Sequence, residues 1–181
     1  MAESWVRDIL DFWFSLQPEQ WWKSTPELDS EISERFLDTW QEQQQRLTTD
    51  FLGDAYTALA AIILFDQFPR NMFRGHADSF ATDHMALAIA KGAIDRGYDE
   101  TFEQPRRGFV YIPFQHSEDM ADQRRALLLF TALGDEHQLR YAHRHHDVIA
   151  RFGRFPSRND ALGREWRPEE RAAGDVDPTH L

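Results

Sequence analysis

The chain has no cysteine among its 181 residues. Disulfides, thiolate metal ligands and cysteine nucleophiles are excluded together. It also lacks a long apolar run. The longest, Ala58 to Phe65, falls far short of the roughly 20 residues a membrane-spanning helix needs. Glu3, Arg7, Asp8 and Asp11 break up the apolar residues near the start, so no signal-peptide core can be drawn there. A cytoplasmic location with no membrane partner is the expectation. Positive charge is scarce as well. A formal charge of −11 repels phosphate backbones and anionic lipid at long range, which argues against a nucleic-acid partner. Alternation of apolar and polar residues is also missing. Phe109 to Phe114 is the only strand-like run, and Pro113 interrupts it.

Aromatic residues and helical spacing are abundant. Aromatics make up 13% of the chain and charged residues 28%, the composition of a globular protein. Its length suits one domain, taken as 1–166. A polar tail, 167–181, carries Pro168, Gly174 and Pro178 and is expected to lie loosely on the surface. Trp5, Ile9, Phe12, Trp13 and Leu16 form one helical stripe, and Leu28, Ile32, Phe36 and Trp40 a second behind Thr25-Pro26. Further helices are predicted from Asp54 to Phe68, from Thr82-Asp83 to Gly97, and from Ser117 to Gly134. A last one runs from Asp135 to Phe152, antiparallel to its predecessor. Asn71–Phe80 and Asp99–Gln115 read as loops. The fold class is all-α, an irregular helical bundle or a short array of helical hairpins.

One cassette occurs twice. Phe65-Asp-Gln-Phe-Pro-Arg-Asn71 and Phe152-Gly-Arg-Phe-Pro-Ser-Arg-Asn159 share Phe, two residues, Phe-Pro and Arg-Asn, with one residue inserted in the second copy. Proline lacks an N–H and restrains the residue before it, so each copy is expected to end a helix. The Arg-Asn pairs then sit at corners that could line one anion-binding cavity, with Asp66, Arg70, Asn71, Arg154, Arg158 and Asn159 as ligand-binding candidates. Packing by Phe-Pro and capping by Arg-Asn is the equally weighted structural alternative. Arg151, Arg154, Arg158 and Arg164 are dense for so acidic a chain, and guanidinium forks suit carboxylate or phosphate.

Three further side chains complete the candidate site. His145 falls on the apolar stripe of the last long helix with Tyr141, Ala142, Val148, Ile149 and Phe152, which predicts a buried imidazole, paired with Glu118 or Asp66. His143 and His146 fall off that stripe. His116 and Glu118 flank Ser117, read as a helix N-cap. If the protein is an enzyme, His145 or His116 is the acid or base, Glu118 orients it, and the arginines hold anionic charge. Hydrolysis is the simplest class, because the chain carries no nucleotide or cofactor motif; no cofactor is expected. No paired-His motif such as His-Glu-x-x-His is present, and no metal is expected.

Several separated motifs occur in an order that resembles the bacterial DUF924 family. They are Leu64 to Asn71 with Arg74-Gly75, Phe80-Ala-Thr-Asp83, Pro113 to Glu118, His145, Ile149 to Asn159, and Leu162-Gly-Arg164. The resemblance covers nearly the whole chain and implies a helical fold similar to tetratricopeptide repeats, with no assigned activity. Two departures stand out. Ser157 replaces the histidine that usually follows the second Phe-Pro. Trp166-Arg-Pro-Glu-Glu170 and then Arg171-Ala-Ala replace the usual closing segment, so the end is expected to dock less firmly. The expectation is a helical protein binding a small anionic ligand in a polar cavity. The alternative is an interaction module gripping a peptide or partner protein without catalysis.

Overall fold

The computed structural model describes residues 3–178. The last residues of the expected tail, 179–181, lie outside them. Among the described residues the protein is all-α, with 3-10 turns, a π turn and no strand. None of those helices is long and apolar enough to cross a membrane. The described chain divides into two compact units: residues up to Arg74 with Asp78–Val110, and Gly75–Ala77 with Tyr111 onward.

The first unit is built on α1 (Ser4–Ser15), α2 (Pro18–Trp22), α3 (Pro26–Gln43), α4 (Ala55–Ile62), α5 (Phe68–Met72) and α6 (Asp83–Asp95). Helix starts follow the capping chemistry. Thr25 accepts from the Leu28 N–H ahead of Pro26, and Asp54 accepts from the Tyr56 and Thr57 N–H groups. The α1 stripe buries Ile9, Phe12 and Trp13. Phe68 receives them: its ring centroid lies 4.7 Å from Phe36 and 5.6 Å from Trp13. The aromatic residues of three helices thus interlock at the first cassette.

The expected loop Asp99–Gln115 is largely helical. A 3-10 turn covers Tyr98–Thr101, and α7 runs Arg106–His116 with Pro113 inside it. Phe109, Val110, Tyr111, Ile112 and Phe114 are all buried. A helix buried on every side shows no 3.6-residue period, and that hid it. Burial of those side chains outweighs the single backbone bond that Pro113 cannot make.

From Tyr111 on, α7 belongs to the second unit, with α8 (Met120–Leu133), α9 (Glu136–Phe152) and α10 (Pro168–Ala173). α8 and α9 pack on each other across a tight connection made by Gly134, at φ 75°, and the N-cap Asp135. The N-cap of α8 is Asp119, not Ser117. Ser117 instead donates to Asp122 at 2.8 Å, and Glu118 is left outside the helix. The Gln123 amide donates to the Gln115 and Ser117 carbonyls, both at 2.7 Å. It closes the open end of α7 and fixes the segment carrying His116 and Glu118. The segment expected to be a loose tail contains α10, whose Glu170 is fully buried.

Candidate functional site

The two cassettes bend the chain differently. In the first, Pro69 does not end the helix: a π turn, Ile63–Gln67, joins α4 to α5, and Pro69 lies within α5. The widened turn lets the Phe68 N–H reach the Ile63 carbonyl. The carbonyl one turn before Pro69, that of Phe65, accepts from Thr82 Oγ1 at 2.7 Å instead. Trp40 Nε1 donates to the same hydroxyl at 3.1 Å. A proline inside a helix is tolerated here because a side chain replaces the missing donor. In the second cassette the helix does end, at Phe152 with Gly153 at φ 69°, and Pro156 opens a 3-10 turn.

Around the first corner, Asp66 is buried and accepts from Gln67 Nε2 at 2.5 Å. Arg70 lies 3.6 Å from Asp66 but aims its fork at Asp83, with bonds of 2.7 and 2.9 Å. Burial alone would lower the Arg70 pKa, but the charges of Asp83 and Asp66 raise it. Asn71 donates to Asp29 at 2.8 Å and to Ser24 at 2.9 Å. Burial would raise the Asp29 carboxyl, yet bonds from Arg74, Ser24 and Asn71 hold it below its ordinary value.

Around the second corner, Glu118, His145 and Arg158 meet at Phe155. That ring is buried, His145 meets it edge-on at 5.5 Å, and the Arg158 guanidinium lies 4.5 Å from its centroid. The His116 and His145 ring centroids are 5.9 Å apart, and Arg158 donates to the His116 carbonyl at 2.9 Å. His145 is buried as expected, and its Nδ1 lies 2.8 Å from the Tyr141 carbonyl oxygen. A carbonyl only accepts, so Nδ1 carries the hydrogen of that bond.

Glu118 holds a backbone N–H and an arginine rather than an imidazole. It accepts from the Phe155 N–H at 2.7 Å and from Arg164 at 2.9 and 3.1 Å. Burial pushes its pKa up, while Arg164, the Phe155 N–H and the Arg158 charge bring it below the ordinary value. Arg154 and Asn159 both bond to Glu170, at 2.6 to 3.0 Å.

His116, Glu118, His145, Arg154, Arg158 and Asn159 are therefore linked within the second unit. Asp66, Arg70 and Asn71 belong to the first unit. Sequence reasoning missed the partners Asp29, Thr82 and Glu170. Glu170 stands sixteen residues from Arg154 with no periodic relation to it; only a buried charge needing a counter-charge would have signalled it. Among the described residues no group of three His, Asp or Glu is arranged to hold a metal ion.

A family model described as a bacterial protein of unknown function, DUF924, matches residues 9–173. The solved structure of a protein of unknown function from Agrobacterium tumefaciens is similar, with a TM-score of 0.88 and 42% identity. The match covers 93% of this chain and 95% of that one. No curated protein matches.

Proposed function

We propose that this chain, which belongs to the DUF924 family of bacterial proteins of unknown function, binds a small carboxylate or phosphate in its second unit, beside His116, His145 and Arg158. The observation that carries this reading is the charge of the corner. Arg154 bonds to Glu170, Arg164 to Glu118 and Arg158 to the His116 carbonyl, which gathers three guanidinium groups at one corner although the whole chain has a charge of −11. Such a local reversal focuses the field on an anion. The guanidinium of Arg158 and the imidazole of His145 share the Phe155 ring, so a cation and a titratable base are held together on one rigid support. If the ligand has a hydrolysable bond, His145 or His116 is the acid or base and Arg158 holds the developing charge.

Thermal-shift titration with phosphates and carboxylates tests the reading. A ligand at a hundredfold excess over its dissociation constant stabilises by about 2.7 kcal/mol. Arg158→Ala should remove that stabilisation while changing the ligand-free Tm little. No response to any anion would sink the reading.

One observation favours an interaction module instead. Trp22 is 46% exposed and stacks on Phe109 with ring centroids 5.9 Å apart, while Arg106 lies over Phe14. Exposed aromatics beside a cation suit a peptide or protein partner. The same titration separates the readings, since this one requires no anion response.

A further inference from the structure

α10 buries one side chain, and that side chain is charged. Glu170 is fully buried, while Pro168, Glu169, Arg171 and Ala172 are exposed. Helices in folded proteins are ordinarily held by an apolar stripe. This one is held by a receptor for a carboxylate. Arg154 meets both oxygens side-on, Nε to Oε1 at 2.6 Å and Nη2 to Oε2 at 2.8 Å. Asn159 Nδ2 adds a bond to Oε2 at 3.0 Å, and the Arg167 N–H adds another at 2.8 Å.

The Arg167 donor moves with the helix; Arg154 and Asn159 belong to the corner itself. Both are also fixed without Glu170. Arg154 donates to the Glu165 carbonyl at 2.7 Å, and Asn159 Oδ1 accepts from Arg164 at 3.0 Å. An open cleft of about 510 Å³, lined by Asp160, Trp166, Glu170, Arg171 and Gly174, gives solutes access beside the buried carboxylate.

We propose that the second corner is a carboxylate receptor and that α10 is its tethered occupant: when residues 167–178 open locally, Arg154 and Asn159 accept a free carboxylate in place of Glu170. The side-on guanidinium matches the two oxygens of a planar carboxylate. Beyond the bonds to Glu170, the segment is held by Arg167 Nη1 on the Phe152 carbonyl and by Pro178, its one other buried residue, and an element with so little apolar burial belongs to the easily opened part of a fold. The tether gives Glu170 a high effective concentration, so an outside carboxylate displaces it only in excess or where its own further contacts add affinity. This site uses neither His116, His145 nor Arg158, but it shares Arg154 and Glu170 with the network that supports the reading above.

Chemical rescue in the full chain tests it. Glu170→Ala removes the occupant, and Tm is followed against sodium acetate, sodium phosphate and sodium chloride at matched ionic strength. The expected result is a lowered Tm that acetate restores saturably, by more than it shifts the unsubstituted chain, while phosphate shifts both proteins equally. Adding Arg154→Ala should abolish the extra rescue. Should Glu170→Ala fail to fold, hydrogen exchange of the Arg171 amide in the unsubstituted chain answers the question, because acetate and not chloride must speed it. Three results overturn the proposal: acetate acting like chloride, rescue that survives the loss of Arg154, or phosphate rescuing Glu170→Ala as well as acetate does.

Discussion

Phe155 holds the second corner together through its backbone as much as through its ring. Its N–H donates to Glu118, its carbonyl accepts from Arg164 at 2.8 Å, and its ring carries His145 and Arg158. Phe65, Phe68 and Phe152 are buried as it is, so truncation of any of the four to Ala should cost about 3 to 5 kcal/mol in denaturant unfolding. Costs below about 1 kcal/mol at both copies would contradict the packing role assigned to the repeat. Glu170 makes a second prediction at this scale. Chiefly through its bonds with Arg154, its carboxyl is drawn from 4.5 down to about 2. A depressed folded value means stability that is fully present above the unfolded value and lost as pH falls through the folded one. The urea midpoint should therefore drop between about pH 4.5 and 2, and Glu170→Gln should flatten that drop. An unchanged slope in the variant would place the acid sensitivity elsewhere.

Among the elements, those with a clear period and chemical end signals were legible in the sequence. α9 was, because Asp135 opens it, Gly153 closes it and one stripe buries Ala142, His145, Ile149 and Phe152. α7 was not, since an apolar run around Pro113 reads as a broken strand when no period marks it. The π turn left no local signal either, because what makes it stable is a hydroxyl from another helix start. Thr82→Val should accordingly cost about 1 to 3 kcal/mol, by leaving the Phe65 carbonyl and Trp40 Nε1 without their bonds to the hydroxyl. Thr82→Ser should recover most of that loss in the same urea titration. Equal stability of the valine variant and the natural protein would mean that the hydroxyl does not support the turn.

For the whole molecule, the candidate site was legible as a set of residue types and not as a set of partners. The repeated cassette named Arg154, Arg158 and Asn159, and the apolar stripe named His145, from local pattern alone. Which carboxylate each arginine meets depends on long-range folding: Arg70 takes Asp83, thirteen residues on, and Arg164 takes Glu118, forty-six residues back. A strongly acidic chain that brings Arg154, Arg158 and Arg164 together at one corner is the basis for proposing anion binding in the second unit. The measurement closest to that claim is the imidazole nitrogen NMR signal of His116 and His145 during a phosphate titration. The account predicts saturable shifts of both rings with one dissociation constant, lost in Arg158→Ala while the fold persists. Rings that do not move, or that move identically without Arg158, would contradict it.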